Sequence, residues 1–248
     1  MLTTNEKERY DRQIILGELG EAGQVKLKAA KVFVAGAGGL GSSLLTYLAA
    51  AGVGCIRIVD NDQVSLSNLN RQILHWNKDI GQTKVVSARA KLCQLNPEIT
   101  IEAINDTITP ANISSLIAGC DLIADALDNP ETRYLLNKTA LKQGIPFFHG
   151  AVNGFEGRVM TVIPGQSACL RCISRGAGSK ARFPVIGVTP AVIGSIQATE
   201  VIKYIVGIGK LLTDRLLLYD GLNMTFTEFK INRNPQCDHC AQPALRCD

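Results

Sequence analysis

Two groups of residues in this 248-residue chain have types and spacings suited to chemistry. One is a pair of C-x-x-C knuckles, CLRC (Cys169, Cys172) and CDHC (Cys237, Cys240), with 64 residues between them. Four thiolates in that pattern suit tetrahedral Zn²⁺ with no open position, so the expected ion is structural and pins the C-terminal segment to the domain body. A redox pair and unrelated buried thiols are the alternatives. The other group is the glycine turn GAGGLG, in which Gly36, Gly38 and Gly41 fit G-x-G-x-x-G between a strand-like run and a helix-like one. Backbone N–H groups and the helix dipole at such a turn meet phosphate oxygens.

Alone, the glycine pattern is weak, because glycines also let a strand and a helix pack closely. Asp60 ends the next strand-like run, 19 residues beyond Gly41, where an acid that binds a ribose hydroxyl belongs. Asn68 and Arg71 follow in SLSNLNRQIL, and Lys84 comes at the start of the next helix. If the crossover brings these cations to the turn, they suit a triphosphate better than the less charged pyrophosphate of NAD. If it does not, they are exposed helix-surface charges. Asp125 and Asp128, in ADALDN, lie at the C-terminal end of another strand-like run, the edge where open α/β sheets bind ligands. Asp128 is the better Mg²⁺ ligand because it falls beyond the strand; the competing reading makes it the cap of the helix that follows.

The elements that position these groups alternate. KVFVAG, CIRIVD, ITIEAIN, DLIADAL and IPFFHGAV are strand-like and are separated by helical patterns near 40–51, 82–95, 112–118 and 131–143. This βαβ series predicts a mainly parallel sheet covered on both faces. After Gly154 short strands GRVMTVIP, RLLLYDG and MTFTEFKI surround a helix near 190–207, and they extend the same sheet in antiparallel fashion. The expected fold is α/β, a Rossmann-like mixed sheet. No linker or low-complexity tract divides it, so residues 1–248 read as one domain, with a nucleotide-binding part at about 30–152 and the knuckles, a crossover loop and the C-terminal strands at about 153–240.

Composition narrows the function. A hydrophobic content of 46% is ample for a closed core, and 26 Lys+Arg against 22 Asp+Glu is too even a balance for a nucleic-acid surface. No run approaches the roughly 18 to 20 apolar residues of a membrane span. The opening MLTTNEKERYDRQ carries charges from residue 6, so no signal or transit peptide is expected and a cytoplasmic location is. Eight cysteines then read as thiols or metal ligands. Cys55, Cys93 and Cys120 are expected in the core, and Cys247 in the tail.

GAGGLG, VDNDQVSLSNLNRQ, GQTKV, DALDN and RYDRQIIL together resemble the ThiF/MoeB/HesA family, relatives of the ubiquitin-activating E1 adenylation domain, from about Glu8 to Cys240. The resemblance implies ATP rather than NAD, a structural Zn²⁺ on the four cysteines, and Mg²⁺ on Asp128. It implies a nucleotide site of Gly36, Gly38, Gly39, Gly41, Asp60, Asp62, Asn68, Arg71, Gln72, Lys84, Asp128 and Asn129, with Arg71, Lys84 and Asp128 acting in catalysis. Arg12 would reach the neighbouring subunit's site, so a homodimer is implied, and the implied substrate is the C-terminal Gly-Gly carboxylate of a small ubiquitin-fold sulfur carrier in molybdopterin or thiamine biosynthesis.

A carboxylate attacking the α-phosphate brings two anions together. Metal and guanidinium charge must neutralise them in line, whereas no general base is required of an already ionised carboxylate. His75, His149 and His239 accordingly read as structural. One departure from the family limits the chemistry. Members that pass their substrate to an enzyme cysteine carry it in the loop after the first knuckle, and ISRGAGSKARFPVIGVT (173–189) has none, with Phe183 near its place. The product is then expected to leave as the adenylate, with sulfur supplied by a persulfide-carrying desulfurase or rhodanese. Arg175, Lys180 and Arg182 either meet acidic groups of the carrier or form a solvated basic loop. The competing readings are adenylation of another carboxylate or acceptor (a peptide, a tRNA base, a small molecule), a nucleotide-binding oxidoreductase, and a silent subunit; retention of Arg71, Lys84 and Asp128 argues against the last.

Overall fold

In the strand β1 (Lys31–Ala35), residues Val32, Phe33, Val34 and Ala35 are all buried, so consecutive side chains are covered on both faces of the sheet. That is what a central parallel strand between two helix layers requires. The computed structural model describes residues 1–173 and 184–241. Three helices precede β1: α1 (Thr4–Arg9), α2 (Asp11–Ile14) and α3 (Gly20–Ala29). None of the three stood out in the sequence, since two are under two turns long and the third is only weakly amphipathic.

After β1 come α4 (Gly39–Ala50), β2 (Cys55–Val59), α5 (Lys84–Leu95), β3 (Thr100–Ile104), α6 (Ile113–Leu116), β4 (Leu122–Asp125), α7 (Pro130–Gln143) and β5 (Phe147–Asn153). The chain continues with β6 (Glu156–Val162), α8 (Leu170–Ile173), α9 (Val188–Val206), β7 (Arg215–Asp220) and β8 (Thr225–Lys230). The strands form one sheet in the order β3-β2-β1-β4-β5-β6-β7-β8. Pairing is parallel from β3 to β5 and antiparallel from β5 to β8, so the mixed sheet expected from the sequence is present.

Helices cover both faces. One core joins α4, α5 and α9 to Val32, Val34, Ile56, Ile58 and Phe148. The other joins α6, α7 and α8 to Phe33, Ala35, Ile123, Phe147 and Met160, and it includes three of the knuckle cysteines. Alternation along the strands carries Asp125 and His149 to this second face, two residues beyond Ile123 and Phe147. The strand order reverses between β1 and β4, which opens a crevice at their carboxyl ends. Cys120 is buried as expected, while Cys55 and Cys93 are half-buried at an element edge and on a helix.

Candidate active site

The glycine turn lies in that crevice. Gly36 has φ +99°, and a Cβ there would meet the Ala126 carbonyl oxygen at 2.7 Å. A Cβ on Gly41 would lie 2.2 Å from the Gly36 carbonyl oxygen, so glycine is needed for α4 to start this close to β1. Gly38 caps α4 without a side-chain bond, and the Gly38 and Gly39 N–H groups have no acceptor among the described residues. The helix therefore presents free donors and the positive end of its dipole to the crevice.

Around this turn the crossover gathers polar groups. A Cβ placed on Gly39 would be 3.6 Å from Arg71 Cγ, and one on Gly38 3.6 Å from Gln72 Nε2. Of the groups whose approach the sequence left conditional, Arg71 borders the glycine turn, and Gln72 borders it beside Arg71. Among the described residues the Arg71 guanidinium bonds the Ser67 carbonyl, 2.9 Å, and Asn70 Oδ1, 3.1 Å, and Gln72 Oε1 is buried without a partner. Asn68 Oδ1 accepts from the Ser65 N–H at 3.1 Å and shapes this segment. Asp60 Oδ2 accepts from the Ala37 N–H at 2.8 Å and Oδ1 from the Asp62 N–H at 2.8 Å, so Asp60 braces the turn. Lys84 opens α5 with its side chain 7% exposed, and its Nζ is 2.7 Å from Asp62 Oδ2.

The loop after β4 closes the other side. Asp128 is exposed and has no hydrogen-bond or ion-pair partner among the described residues. It does not cap α7: Asn129 does, its Oδ1 accepting from the Thr132 N–H at 2.9 Å, with Pro130 at the first helical position. A free carboxylate at a sheet's carboxyl edge is an oxygen donor of the kind that would hold Mg²⁺. Behind the loop, buried Asp125 accepts from the Leu127 N–H at 3.1 Å and pairs with His149 Nδ1 at 2.7 Å, and Arg133 lies 3.5 Å away and donates to the Leu127 carbonyl. Burial pushes the His149 imidazole below its ordinary 6.5 despite the Asp125 bond.

Arg12 does not join this site. It is exposed on α2, whose neighbouring Gln13 bonds the Ala51 carbonyl at the far end of α4. The 12 residues of α4 put about 18 Å between that end and the glycine turn.

The four cysteines converge as predicted. Sγ separations of 3.9 Å (Cys169–Cys172), 3.7 Å (Cys169–Cys237) and 3.4 Å (Cys172–Cys240) approach the edge of about 3.8 Å that a tetrahedron with Zn–S bonds of about 2.3 Å requires. All four sulfurs lie within 4.8 Å of one another. Burial pushes the Cys169 thiol up and the Cys240 thiol up to about 11. At Cys237 burial also pushes upward, but the Cys240 and His239 N–H groups outweigh it and hold the thiol below its usual range. The donor set fits a closed structural zinc site. His239 stays outside it, with Nδ1 accepting from Asn137 Nδ2 at 2.9 Å. Arg175, Lys180, Arg182, Phe183 and Cys247 lie outside the described residues.

A reversed-order parallel sheet whose glycine turn, cations and free carboxylate meet at its carboxyl edge defines a nucleotide-binding α/β enzyme. The ThiF family model matches residues 10–239, and the chain belongs to that family. It is 42% identical to a sulfur carrier protein adenylyltransferase of Thermus thermophilus, with 98% of this chain and 94% of that one covered. It is 41% identical both to a molybdopterin-synthase adenylyltransferase of Escherichia coli (97% and 99% covered) and to a SAMP-activating enzyme E1 of Haloferax volcanii (97% and 91%). A crystal structure of Escherichia coli MccB with ATP superposes with a TM-score of 0.85 at 24% identity, over 94% of this chain and 75% of that one, which shows the shared fold. The protein is an adenylyltransferase.

Sequence reasoning passed over Asp125 and Arg133 as braces of the Asp128 loop, and over the bonds of His75. His75 Nε2 lies 2.8 Å from the Ala37 carbonyl oxygen and Nδ1 2.8 Å from Ser87 Oγ. A histidine five residues beyond an Asn-Leu-Asn run offers no periodic signal; only the folded crossover places it under the turn.

Proposed function

We propose that this adenylyltransferase uses ATP to activate the C-terminal Gly-Gly carboxylate of a small ubiquitin-fold sulfur-carrier protein, and that it releases the acyl-adenylate without forming an enzyme thioester. One observation carries the reading: the crevice gathers unpaired N–H groups, Arg71, Lys84 and a free Asp128 around one glycine turn. His75 is hydrogen-bonded through both ring nitrogens and His149 is held through Nδ1 by Asp125, while four of the cysteines are gathered in one cluster away from the turn. Such a site neutralises charge and does little else, which is what joining two anions needs. The name borne by the Thermus relative supports a sulfur carrier as the substrate, and that of the Escherichia relative supports a link to molybdopterin synthase.

In the reaction a carboxylate oxygen of the carrier attacks the α-phosphorus, the bond from that phosphorus to the bridging oxygen breaks, and pyrophosphate leaves with the electron pair. Gly38 and Gly39 N–H groups bind phosphate oxygens, Arg71 turns from Ser67 toward the developing charge, and Lys84 exchanges Asp62 for phosphate. Asp128 would hold Mg²⁺, which supplies further charge neutralisation between the phosphates. Arg12 of a second copy completes the pocket in a homodimer. An exposed groove of about 500 Å³ between α4 and α9, lined by Tyr47, Ile73, Val192, Ile196 and Phe226, supports such an association. Because 173–189 lacks a cysteine, an external persulfide donor consumes the adenylate. We place the reaction in the cytoplasm, where free thiols like these persist.

The test is ATP/pyrophosphate exchange with a carrier ending in Gly-Gly. Exchange should require that terminus and should fall at least about 10²-fold in Asp128→Ala, which retains one zinc per chain. Exchange driven equally well by unrelated carboxylates, or retention of NAD in place of ATP, overturns the reading.

A further inference from the structure

The glycine turn needs its donors aimed, and glycines are poor at holding an orientation by themselves. We propose that His75 is the positioning residue that aims them: by drawing the Ala37 carbonyl inward, it turns the Gly38 N–H outward to the nucleotide phosphates. The inference rests on the adenylation reading above.

The geometry is that of a single peptide plane. No peptide bond in the described chain is cis, so the Ala37 C=O and the Gly38 N–H point in opposite directions. His75 Nε2 lies 2.8 Å from that carbonyl oxygen. A carbonyl only accepts, so Nε2 carries the proton, and Nδ1 must then accept from the Ser87 hydroxyl at 2.8 Å. Ser87 Oγ can donate there because it accepts from Lys91 Nζ at 2.7 Å, and Lys91 is in turn ion-paired to buried Asp79. Every donor from Lys91 to Ala37 thus points the same way, toward the turn. The preceding peptide is fixed separately, by the Ala37 N–H on Asp60 Oδ2 at 2.8 Å. With both peptides that flank Ala37 held, the Gly38 N–H, which has no acceptor among the described residues, is turned to the crevice; the next peptide is held separately, its Gly38 carbonyl accepting from the Ser42 N–H at 2.8 Å.

The chain also explains why histidine stands there. His75, Ser87 and Asp79 are all buried, so an apolar residue at position 75 would strand both the Ala37 carbonyl and the Ser87 hydroxyl. Two amide substitutions separate the two bonds. Glutamine reaches as far as Nε2 and can donate to Ala37, while asparagine reaches only as far as Nδ1 and keeps the Ser87 side alone.

The experiment uses the full-length, zinc-loaded protein with Mg²⁺. ATP and adenosine affinities are measured by calorimetry, and KM for ATP and kcat by pyrophosphate exchange, for the wild type, His75→Gln and His75→Asn. Loss of one aimed donor should weaken ATP binding and raise its KM about tenfold in His75→Asn. His75→Gln should stay within about threefold of the wild type, kcat at saturating ATP should change little, and adenosine affinity should not move, since it has no phosphate to feel the turn. In the wild type, where no variant has to fold, ¹⁵N spectra should show the imidazole protonated at Nε2 and bare at Nδ1. Equal losses in the two variants, a parallel fall in adenosine binding, or the opposite tautomer overturn the proposal and leave adenylation standing. A wild type that binds ATP no better than adenosine overturns adenylation and this inference together.

Discussion

Around the glycine turn, charge is left available: among the described residues Asp128 faces solvent, the Gly38 and Gly39 N–H groups have no acceptors, and Arg71 is held by Ser67 and Asn70 alone. Around the four cysteines the opposite holds, with Cys169, Cys237 and Cys240 buried in the second core and their sulfurs packed to near-tetrahedral spacing. The first region sits on loops at the carboxyl ends of parallel strands, where groups can change partners as ligands arrive. The second joins a short helix to the C-terminal segment, a connection with little apolar surface of its own, so that coordination must supply the cohesion. Active and structural polar groups are thus distinguished less by residue type than by whether the fold has already satisfied them.

That contrast can be broken by mutation. Arg71→Ala should reduce pyrophosphate exchange about 10³-fold, equivalent to about 4 kcal/mol, while the melting temperature stays within about 2 °C, because its native bonds are exposed and local. A comparable fall in stability would show that the guanidinium holds the crossover together. Cys237→Ser is the converse. It should abolish zinc binding measured by elemental analysis and lower the melting temperature by about 10 °C, or about 3 kcal/mol for a chain of this size, yet leave KM for ATP nearly unchanged in the molecules that remain folded. A stable, zinc-free protein would remove the structural role assigned to the cluster.

These two regions were not equally legible in the sequence. Cys169, Cys172, Cys237 and Cys240 declare their convergence through residue type, because four thiols at knuckle spacing have few other uses, and the 64 intervening residues do not matter. The βαβ series was legible too, since Val32–Ala35 and the later buried strands lack the alternation of a half-exposed sheet. Whether Arg71 and Lys84 reach the phosphates was not. That depends on a crossover of two 3₁₀ turns (Leu66–Asn68, Asn77–Asp79) without periodicity, whose path is set by tertiary bonds such as His75 to Ala37 and Lys84 to Asp62. Asp125 was rightly placed within its strand, but its bracing role was not legible: its His149 partner comes from register with β5, and no local pattern records which residue a parallel neighbour will present. Asn129, not Asp128, caps α7, so the plain structural alternative for Asp128 fails on one side-chain bond.

The amino ends of the strands give the smallest effect and the sharpest control. There Glu6, buried in α1, accepts from Lys28 Nζ at 2.8 Å and from the Thr3 N–H at 2.7 Å, closing a capping box with Thr3. The Lys28 bond, aided by Thr3 and opposed by burial, holds its carboxyl below the ordinary 4.5. A depressed folded-state value means that the charged form is the stabilised one, so the contribution is present above pH 4.5 and is lost as pH falls through the lower value of the folded protein. Glu6→Gln keeps an acceptor for Thr3 and loses only the charge. It should cost about 1 kcal/mol at pH 7, some 2–4 °C in melting temperature, with the difference from the wild type closing in acid. Exchange activity should not change, because this pair lies at the edge of the sheet opposite the crevice. A gap in stability that persists unaltered to low pH would mean that the substitution disturbs packing, and a fall in exchange would mean that the two ends of the strands are mechanically coupled.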